Sequence, residues 1–374
     1  MIKILHFISD TNIGGAGRLL VNQIRNMPRG EFDIFVALPR ESALCGELKN
    51  APCRIIACDH CADSSFSLSS VFENVRIINE IKPDIVHSHA SLSSRIAAAL
   101  CGVRSRIFTR HCVFPVPKIY ESALVRSAFK VANNLLSTRI IAVAESARQN
   151  LVEMGCDEQK IEVIINGVEP VRTVSDSEKN ELRAKLGIEN NDFVISIFAR
   201  LEEYKGHRIL LSAAAKCLKK FPNFKFLIVG EGSRKGELIT LAKELDIDKS
   251  IIFCGFCGDV APYFNITDIN VNCSFGTETS SLALSEGMSL GVPAVASDYG
   301  GNPHMVRNGV NGLIFPRNDA DALACALMRF YTDEELYKRC SQGALLRFQN
   351  EFNARAMCEK MAALYHREYR KKGG

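Results

Sequence analysis

Two glutamates eight positions apart, Glu278 and Glu286, stand on either side of the hydroxyl cluster Thr279, Ser280 and Ser281 in FGTETSSLALSEGMSLGVPAVASDYGG, residues 275–301. Carboxylates hold hydroxyl groups of a sugar or a ribose, and hydroxyl residues cap helices. The apolar run from Ile266 to Cys273 reads as a buried strand, Leu282 to Leu290 has the apolar spacing of a helix, and Ala294 to Ser297 begins another strand. A helix that starts after a parallel strand turns free N–H groups and positive dipole charge outward, which suits a phosphate. Eight helical residues would span about 12 Å, enough to put one carboxylate on each side of a diphosphate. The spacing alone also fits loop charge at Glu278 and a solvated helix position at Glu286, because glutamates eight apart are common.

Two basic residues lie upstream. FVISIFARLEEYKGH (193–207) reads as a strand, a loop and a helix start, with Arg200 and Lys205 five apart across the loop. Arginine offers a planar fork and lysine a mobile point charge. Near the N-terminus, the strand Ile2–Ser9 runs into TNIGGAGRLL (11–20). Gly15-Ala-Gly17 invites a dinucleotide reading, but the third glycine is missing. The next strand, Ile34 to Leu38, ends at Pro39-Arg40 with no acid for a ribose. That fingerprint fails.

The 275–301 segment resembles glycosyltransferase family 4, retaining enzymes of GT-B fold that use nucleotide-sugar donors and carry two glutamates separated by seven residues. GVPAVASDYGG (291–301) continues the likeness, which covers nearly the whole chain. The resemblance implies roles. Glu278 would hold sugar hydroxyls, Glu286 the ribose diol, and Arg200, Lys205 and the N–H groups around Thr279 to Ser281 the diphosphate. Gly14 and Gly15 form the family's glycine-rich turn toward phosphate and acceptor, with Arg18 one turn on and His89 on the acceptor side. His111, in TRHC (109–112), matches a cleft histidine that contacts the donor sugar, and the nucleobase belongs beside the loops of Gly230, Gly232 and Phe256. Fixed cations and helix N–H groups would stabilise the departing diphosphate, so no metal or cofactor is expected. No dedicated nucleophile is evident, and the leaving phosphate is expected to take the acceptor's proton on the same face. Two departures stand out. Thr279-Ser280 replaces a common glycine and aromatic, which bears on sugar preference, and His304 replaces a common glutamate.

The elements that must position these residues alternate strand and helix along 374 residues, enough for two α/β domains. The fold class expected is α/β, two Rossmann-like domains facing across a cleft, with the terminal amphipathic helix (352–372) returning to the first domain. Boundaries are placed at 1–169, 170–350 and 351–374, with polar Pro170–Lys179 as linker. Asp319 and Asp321 read as the cap of the helix Ala322–Phe330. Asp246 and Asp248, at a helix end and strand start, read as solvated charge rather than a metal pair.

Composition is that of a soluble globular chain, 47% hydrophobic and 24% charged, with no spanning segment and no signal peptide. Fourteen cysteines without export imply reduced thiols and a cytoplasmic location. Cys58/Cys61 and Cys254/Cys257 have zinc-like spacing but fall in different expected domains, so buried thiols are the better reading. A net charge of +4 implies little by itself, and no nucleic-acid partner is expected. Between Ile85 and Arg148, nine basic residues stand against two acidic ones. Arg126 and Lys130 of the expected helix from Ile119 to Leu136, with Lys118 just before it and with Leu124, Phe129, Leu135 and an apolar lip Phe114–Pro117 nearby, form a face for an anionic membrane surface. The function expected is transfer of a hexosyl or N-acetylhexosaminyl group, from a UDP-sugar above others, to a saccharide or lipid-linked saccharide of the cell envelope, at the inner face of the cytoplasmic membrane. A sugar-nucleotide 2-epimerase of the same fold, or a non-catalytic sugar-nucleotide-binding subunit, are the alternatives.

Overall fold

Segments such as IKILHFI and FDIFVALP are apolar on both faces, as strands inside a parallel sheet must be. In the computed structural model, which describes residues 1–111, 113 and 116–371, they are the first two strands of a seven-stranded parallel sheet. Its strands are β1 (Ile2–Ile8), β2 (Phe32–Pro39), β3 (Arg54–Cys58), β4 (Ile85–His89), β5 (Ser105–Arg110), β6 (Arg139–Ala142) and β7 (Ile161–Val163), in the order β3-β2-β1-β4-β5-β6-β7. One face of the sheet, with Ile4, Ile8, Ile85 and Ile107, packs with the helix Gly15–Asn26 and with Met357, Met361 and Tyr365 of the last helix, Ala354–Arg370. The opposite face, with Leu5, Phe7 and Val86, packs with Val71, Ile77 and Ile78 of the helix Leu68–Ile81.

The second sheet has six parallel strands: β8 (Phe193–Phe198), β9 (Phe224–Val229), β10 (Ile251–Gly255), β11 (Ile269–Asn272), β12 (Ala294–Ser297) and β13 (Gly312–Phe315). Their order is β10-β9-β8-β11-β12-β13. Phe224, Phe226 and Val271 lie in a core shared with the helices His207–Leu218 and Ala320–Thr332. The chain divides into one unit of Met1–Val168 with Ala354–Gly374 and a second of Glu169–Asn353.

Three expected elements differ. The run from Ile266 to Cys273 yields only Ile269–Asn272 as strand, since the helix Ala261–Asn265 ends immediately before it and Thr267 and Asp268 turn the chain. The expected linker becomes helical from Asp176, because Ser175 Oγ accepts from the Glu178 N–H, Asp176 and Glu178 favour the positive helix end, and Gly187 closes the helix in the left-handed region. That helix buries no residue, so it left no apolar period to read. The expected helix from Ile119 is a short 3-10 turn, Lys118–Glu121, followed by Ala123–Leu136.

Candidate active site

Strand order reverses between β8 and β11, and in open α/β sheets ligands bind beyond the carboxyl ends of such a pair. The loop after β8 carries Arg200 and Lys205, and the loop after β11 carries Glu278. Glu278 is buried at 6% exposure. Its Oε2 accepts from Lys205 Nζ at 2.8 Å, Ser274 Oγ at 2.8 Å and Asn272 Nδ2 at 3.2 Å. Burial alone would raise this carboxyl's pKa, but the lysine charge and the three hydrogen bonds outweigh it and hold the pKa below its ordinary value. Asn302 Nδ2 donates to Asn272 Oδ1, and Ser297 Oγ donates to the Ser274 carbonyl, so the polar cradle reaches into β12 and the loop beyond it.

Backbone packing fixes this loop. A Cβ on Gly301 would fall 1.5 Å from the Thr279 carbonyl oxygen, and Gly300, at φ +61°, presses on the Glu278 carbonyl. Ser281 is the residue of the hydroxyl cluster that caps the helix Leu282–Ser289, its Oγ accepting from the Leu284 N–H at 3.3 Å. Ser280 Oγ is buried and, among the described residues, has no hydrogen-bond partner. Glu286 is half-buried and lies about one turn into this helix, so the eight positions between the two glutamates are not all helical as expected, because residues 278–281 are loop. Arg200 is exposed, with Nη2 donating to Tyr204 Oη at 2.8 Å. Gly232 packs on the backbone of Leu201, the Gly230 N–H donates to the Gly255 carbonyl, and Phe256 is 75% exposed at the tip of β10.

The first domain has its own switch point, between β1 and β4. Gly14 precedes the helix Gly15–Asn26 with no side-chain cap, Gly15 has open space around it, and Arg18 is half-buried one turn on. His111 follows β5 at the same carboxyl edge and retains some exposure. His89, expected on the acceptor side, lies beneath that edge instead. It is 1% exposed, and its two ring nitrogens meet His6 Nδ1 and His111 Nε2, each at 3.1 Å, so it reaches no ligand directly. His87 pairs with Tyr365 Oη and Thr109 Oγ1, both at 2.6 Å, and Tyr365 Oη accepts from Gln23 Nε2. Burial lowers His6 to about 3 and His111 to about 4, and depresses His87 and His89 as well.

The sequence reading missed His6 and His87. The signal was present: HSH puts His87 and His89 on one face of a strand, and a strand histidine in an apolar run must be buried. His6, His87 and His89 are close enough to share a metal ion. His87 is stacked on His89 at 29° and tilted against His6 at 40°, while the rings of His6 and His89 are near-parallel at 22°. His6 Nδ1 and His89 Nε2 are taken up by the hydrogen bond between them, and both nitrogens of His87 are engaged, so no set of three free lone pairs faces one point. Neither cysteine pair forms part of a three-ligand group among the described residues.

The basic face divides. Leu124, Val131 and Leu135 of the helix Ala123–Leu136 are 80%, 59% and 65% exposed, while Phe129 turns inward against Phe108 and Ile140. At 3.6 residues per turn, positions 124, 128, 131 and 135 share one side, and Arg126 and Lys130 fall on the other. Phe114 and Pro115 of the expected lip, and Cys112 beside His111, lie outside the described residues. No helix among the described residues is long and apolar enough to cross a membrane.

Comparison with known proteins covers both domains. Residues 13–172 match the family described as Glycosyltransferase Family 4, and residues 178–347 match Glycosyl transferases group 1. The UDP-Gal:alpha-D-GlcNAc-diphosphoundecaprenol alpha-1,3-galactosyltransferase of Escherichia coli is 27% identical over 97% of this chain and 96% of its own. The putative glycosyltransferase EpsD of Bacillus subtilis is 32% identical over 55% of this chain and 54% of its own. Among solved structures, a glycosyltransferase from Rickettsia africae superposes with a TM-score of 0.83 at 21% identity, covering 98% of each chain. Anabaena Alr3699/HepE in complex with UDP and glucose superposes at 0.82 with 22% identity, covering 98% of this chain and 100% of that one. At these identities the two structures speak for the fold.

Proposed function

Because the chain belongs to glycosyltransferase family 4 and has the α/β GT-B fold of a sugar-transferring enzyme, we propose that it moves a hexosyl or N-acetylhexosaminyl group from a UDP-sugar to a lipid-linked saccharide, with retention and without a metal. The observation that carries this reading is the Glu278 carboxylate, kept ionised inside the protein beside Lys205 at the switch point of the second sheet. A fixed carboxylate suits sugar hydroxyls, and the adjacent loop of Arg200 and Lys205 suits a diphosphate whose charge grows as it leaves. Glu286 takes the ribose, Thr279, Ser280 and Ser281 the phosphate side of the helix start, and the loops of Gly230, Gly232 and Phe256 the base. In the first domain, Gly14, Gly15, Arg18 and His111 line the edge assigned to the acceptor and the reacting sugar. The relative acting on a diphosphoundecaprenol-linked sugar supports a lipid-linked acceptor here.

Labelled UDP-, GDP- and ADP-sugars, offered with a polyprenyl-diphosphate N-acetylglucosamine in excess EDTA, test the reading. Transfer from a UDP-sugar to the lipid, with the anomeric configuration of the donor, is expected. Transfer only from GDP- or ADP-sugars would overturn the donor, and activity lost in EDTA but restored by manganese or magnesium would overturn the metal-free reaction. Release of a free epimerised sugar nucleotide would identify an epimerase, and binding without turnover a non-catalytic subunit.

The lipid of the acceptor suits the exposed apolar stripe of Leu124, Val131 and Leu135, while Arg126 and Lys130, on the other side of that helix, add a longer-range attraction to an anionic surface that salt screens. Wild type should sediment with anionic liposomes at low salt. A Leu124→Glu, Val131→Glu, Leu135→Glu variant should not, and a Lys118→Glu, Arg126→Glu, Lys130→Glu variant should lose only the salt-sensitive part. Equal recovery of the first variant and wild type would reject the stripe.

A further inference from the structure

Three histidines run in file toward the carboxyl edge of the first sheet. His6 Nδ1 meets His89 Nε2, and His89 Nδ1 meets His111 Nε2, both at 3.1 Å. A neutral imidazole has one N–H and one bare nitrogen, so each hydrogen bond of the file needs one of each. His89 must then donate at one end and accept at the other, which leaves two states. In the first, all protons point toward His111: His6 and His89 donate from Nδ1, and His111 accepts at Nε2 and keeps its hydrogen on Nδ1. In the second, all three rings carry the hydrogen on Nε2.

The far end of the file decides between them. His6 Nε2 is buried and has no hydrogen-bond partner among the described residues. The first state leaves a bare nitrogen there, and the second leaves a buried N–H with nothing to receive it. An orphaned buried N–H is the rarer and costlier defect. The rings cannot turn to escape the choice, because His87 stacks on His89 at 4.3 Å and packs tilted against His6 at 5.0 Å. His87 is itself fixed with the opposite tautomer. Tyr365 Oη accepts from Gln23 and so has its own hydrogen for His87 Nδ1, leaving His87 Nε2–H to donate to Thr109.

We propose that His6 and His89 are positioning residues that hold His111 in its Nδ1–H form, so that His111 meets its ligand as a neutral hydrogen-bond donor and not as a base. Assigning that ligand to sugar transfer rests on the function proposed above; the tautomer does not. Burial keeps the file uncharged at ordinary pH, since His6 and His111 titrate only at about 3 and about 4.

The test is long-range proton–nitrogen correlation on the full chain labelled with 15N-histidine, which separates bare from hydrogen-bearing ring nitrogens. His6, His89 and His111 should be Nδ1–H, with His87 as an internal Nε2–H contrast. An Nε2–H signal from His111 in wild type overturns the proposal. His6→Leu removes the first donor and should release His111 into a mixture of both forms, with kcat falling between about two- and tenfold, the worth of one neutral hydrogen bond, and little change in KM. His6→Asn returns an amide donor and should restore the Nδ1–H form. A His111 spectrum unchanged in His6→Leu also overturns the proposal, and if that variant does not fold, the wild-type and His6→Asn spectra decide. A locked Nδ1–H file together with full transfer by His111→Phe would refute the role given to His111 in sugar transfer while leaving the tautomer assignment intact.

Discussion

Glu278 keeps its charge inside the second domain because Lys205 and two neutral side chains converge on one of its oxygens. Removing the cation strands the carboxylate. Lys205→Met should therefore cost about 3 kcal/mol of second-domain stability, and Lys205→Met with Glu278→Gln should recover most of it. Denaturant unfolding of the single and double variants checks this, and equal stability of Lys205→Met and wild type would contradict the pairing. Arg200 makes the opposite case. It is exposed and its guanidinium donates to Tyr204 Oη, so Arg200→Ala should leave stability within about 0.5 kcal/mol. Its turnover should nevertheless fall by on the order of 3 kcal/mol in activation free energy if it faces the leaving diphosphate. Glu286→Ala should instead weaken binding of free UDP, and unchanged UDP affinity would remove Glu286 from the ribose.

Loops that hold these residues depend on close backbone approach, and glycine is tested differently at two of them. At Gly301 the missing Cβ is a packing requirement, because any side chain would collide with the Thr279 carbonyl. Gly301→Ala should displace the Thr279–Ser281 loop, lower stability by about 2 kcal/mol or more, and raise the KM for the donor. At Gly15 an added Cβ would meet nothing within 4 Å among the described residues, and the backbone is helical. Gly15→Ala should be neutral or slightly stabilising, so any loss of transfer there would report a ligand that approaches the backbone. Thermal unfolding and donor kinetics of the two variants separate these cases. The capping serine belongs to the same scale: Ser281 offers its hydroxyl to the Leu284 N–H, which leaves the earlier N–H groups of that helix to other partners.

Across the whole molecule, the first domain is built from both ends of the chain, with Met357, Met361 and Tyr365 of the last helix in its core. The same domain encloses four histidines whose charged forms burial disfavours. Unfolding releases them to ordinary values near 6.5, so below that pH the unfolded state binds more protons than the folded one. Stability is thus retained above pH 6.5 and lost as pH falls toward the folded-state values of about 3 for His6 and about 4 for His111. Four such groups give a slope of up to about 5 kcal/mol per pH unit, large against a domain stability of about 5–15 kcal/mol. The first domain should unfold within about two pH units below 6.5, with uptake of about four protons on unfolding at pH near 5. A first-domain melting temperature that does not fall between pH 7 and pH 5 would contradict this.

The local alternation of apolar runs and helical spacing was enough to read the two parallel α/β domains, because buried strands and amphipathic helices write their period into the sequence. The strand Ala294–Ser297, the helix after Ser281 and the cap at Asp319 were legible for that reason. The helix Asp176–Leu186 was not, since an exposed helix owes its form to caps and charge rather than to an apolar stripe. Glu278, Arg200 and Lys205 were singled out by type, spacing and the family resemblance, but the partnership of Lys205 with Glu278 joins residues 73 positions apart and exists only once β8 and β11 lie side by side. The histidine file is more distant still from local pattern. His6, His89 and His111 come from three strands and their edge, and Tyr365 arrives from the last helix, so only the packed sheet decides which ring nitrogens meet and which way their protons point.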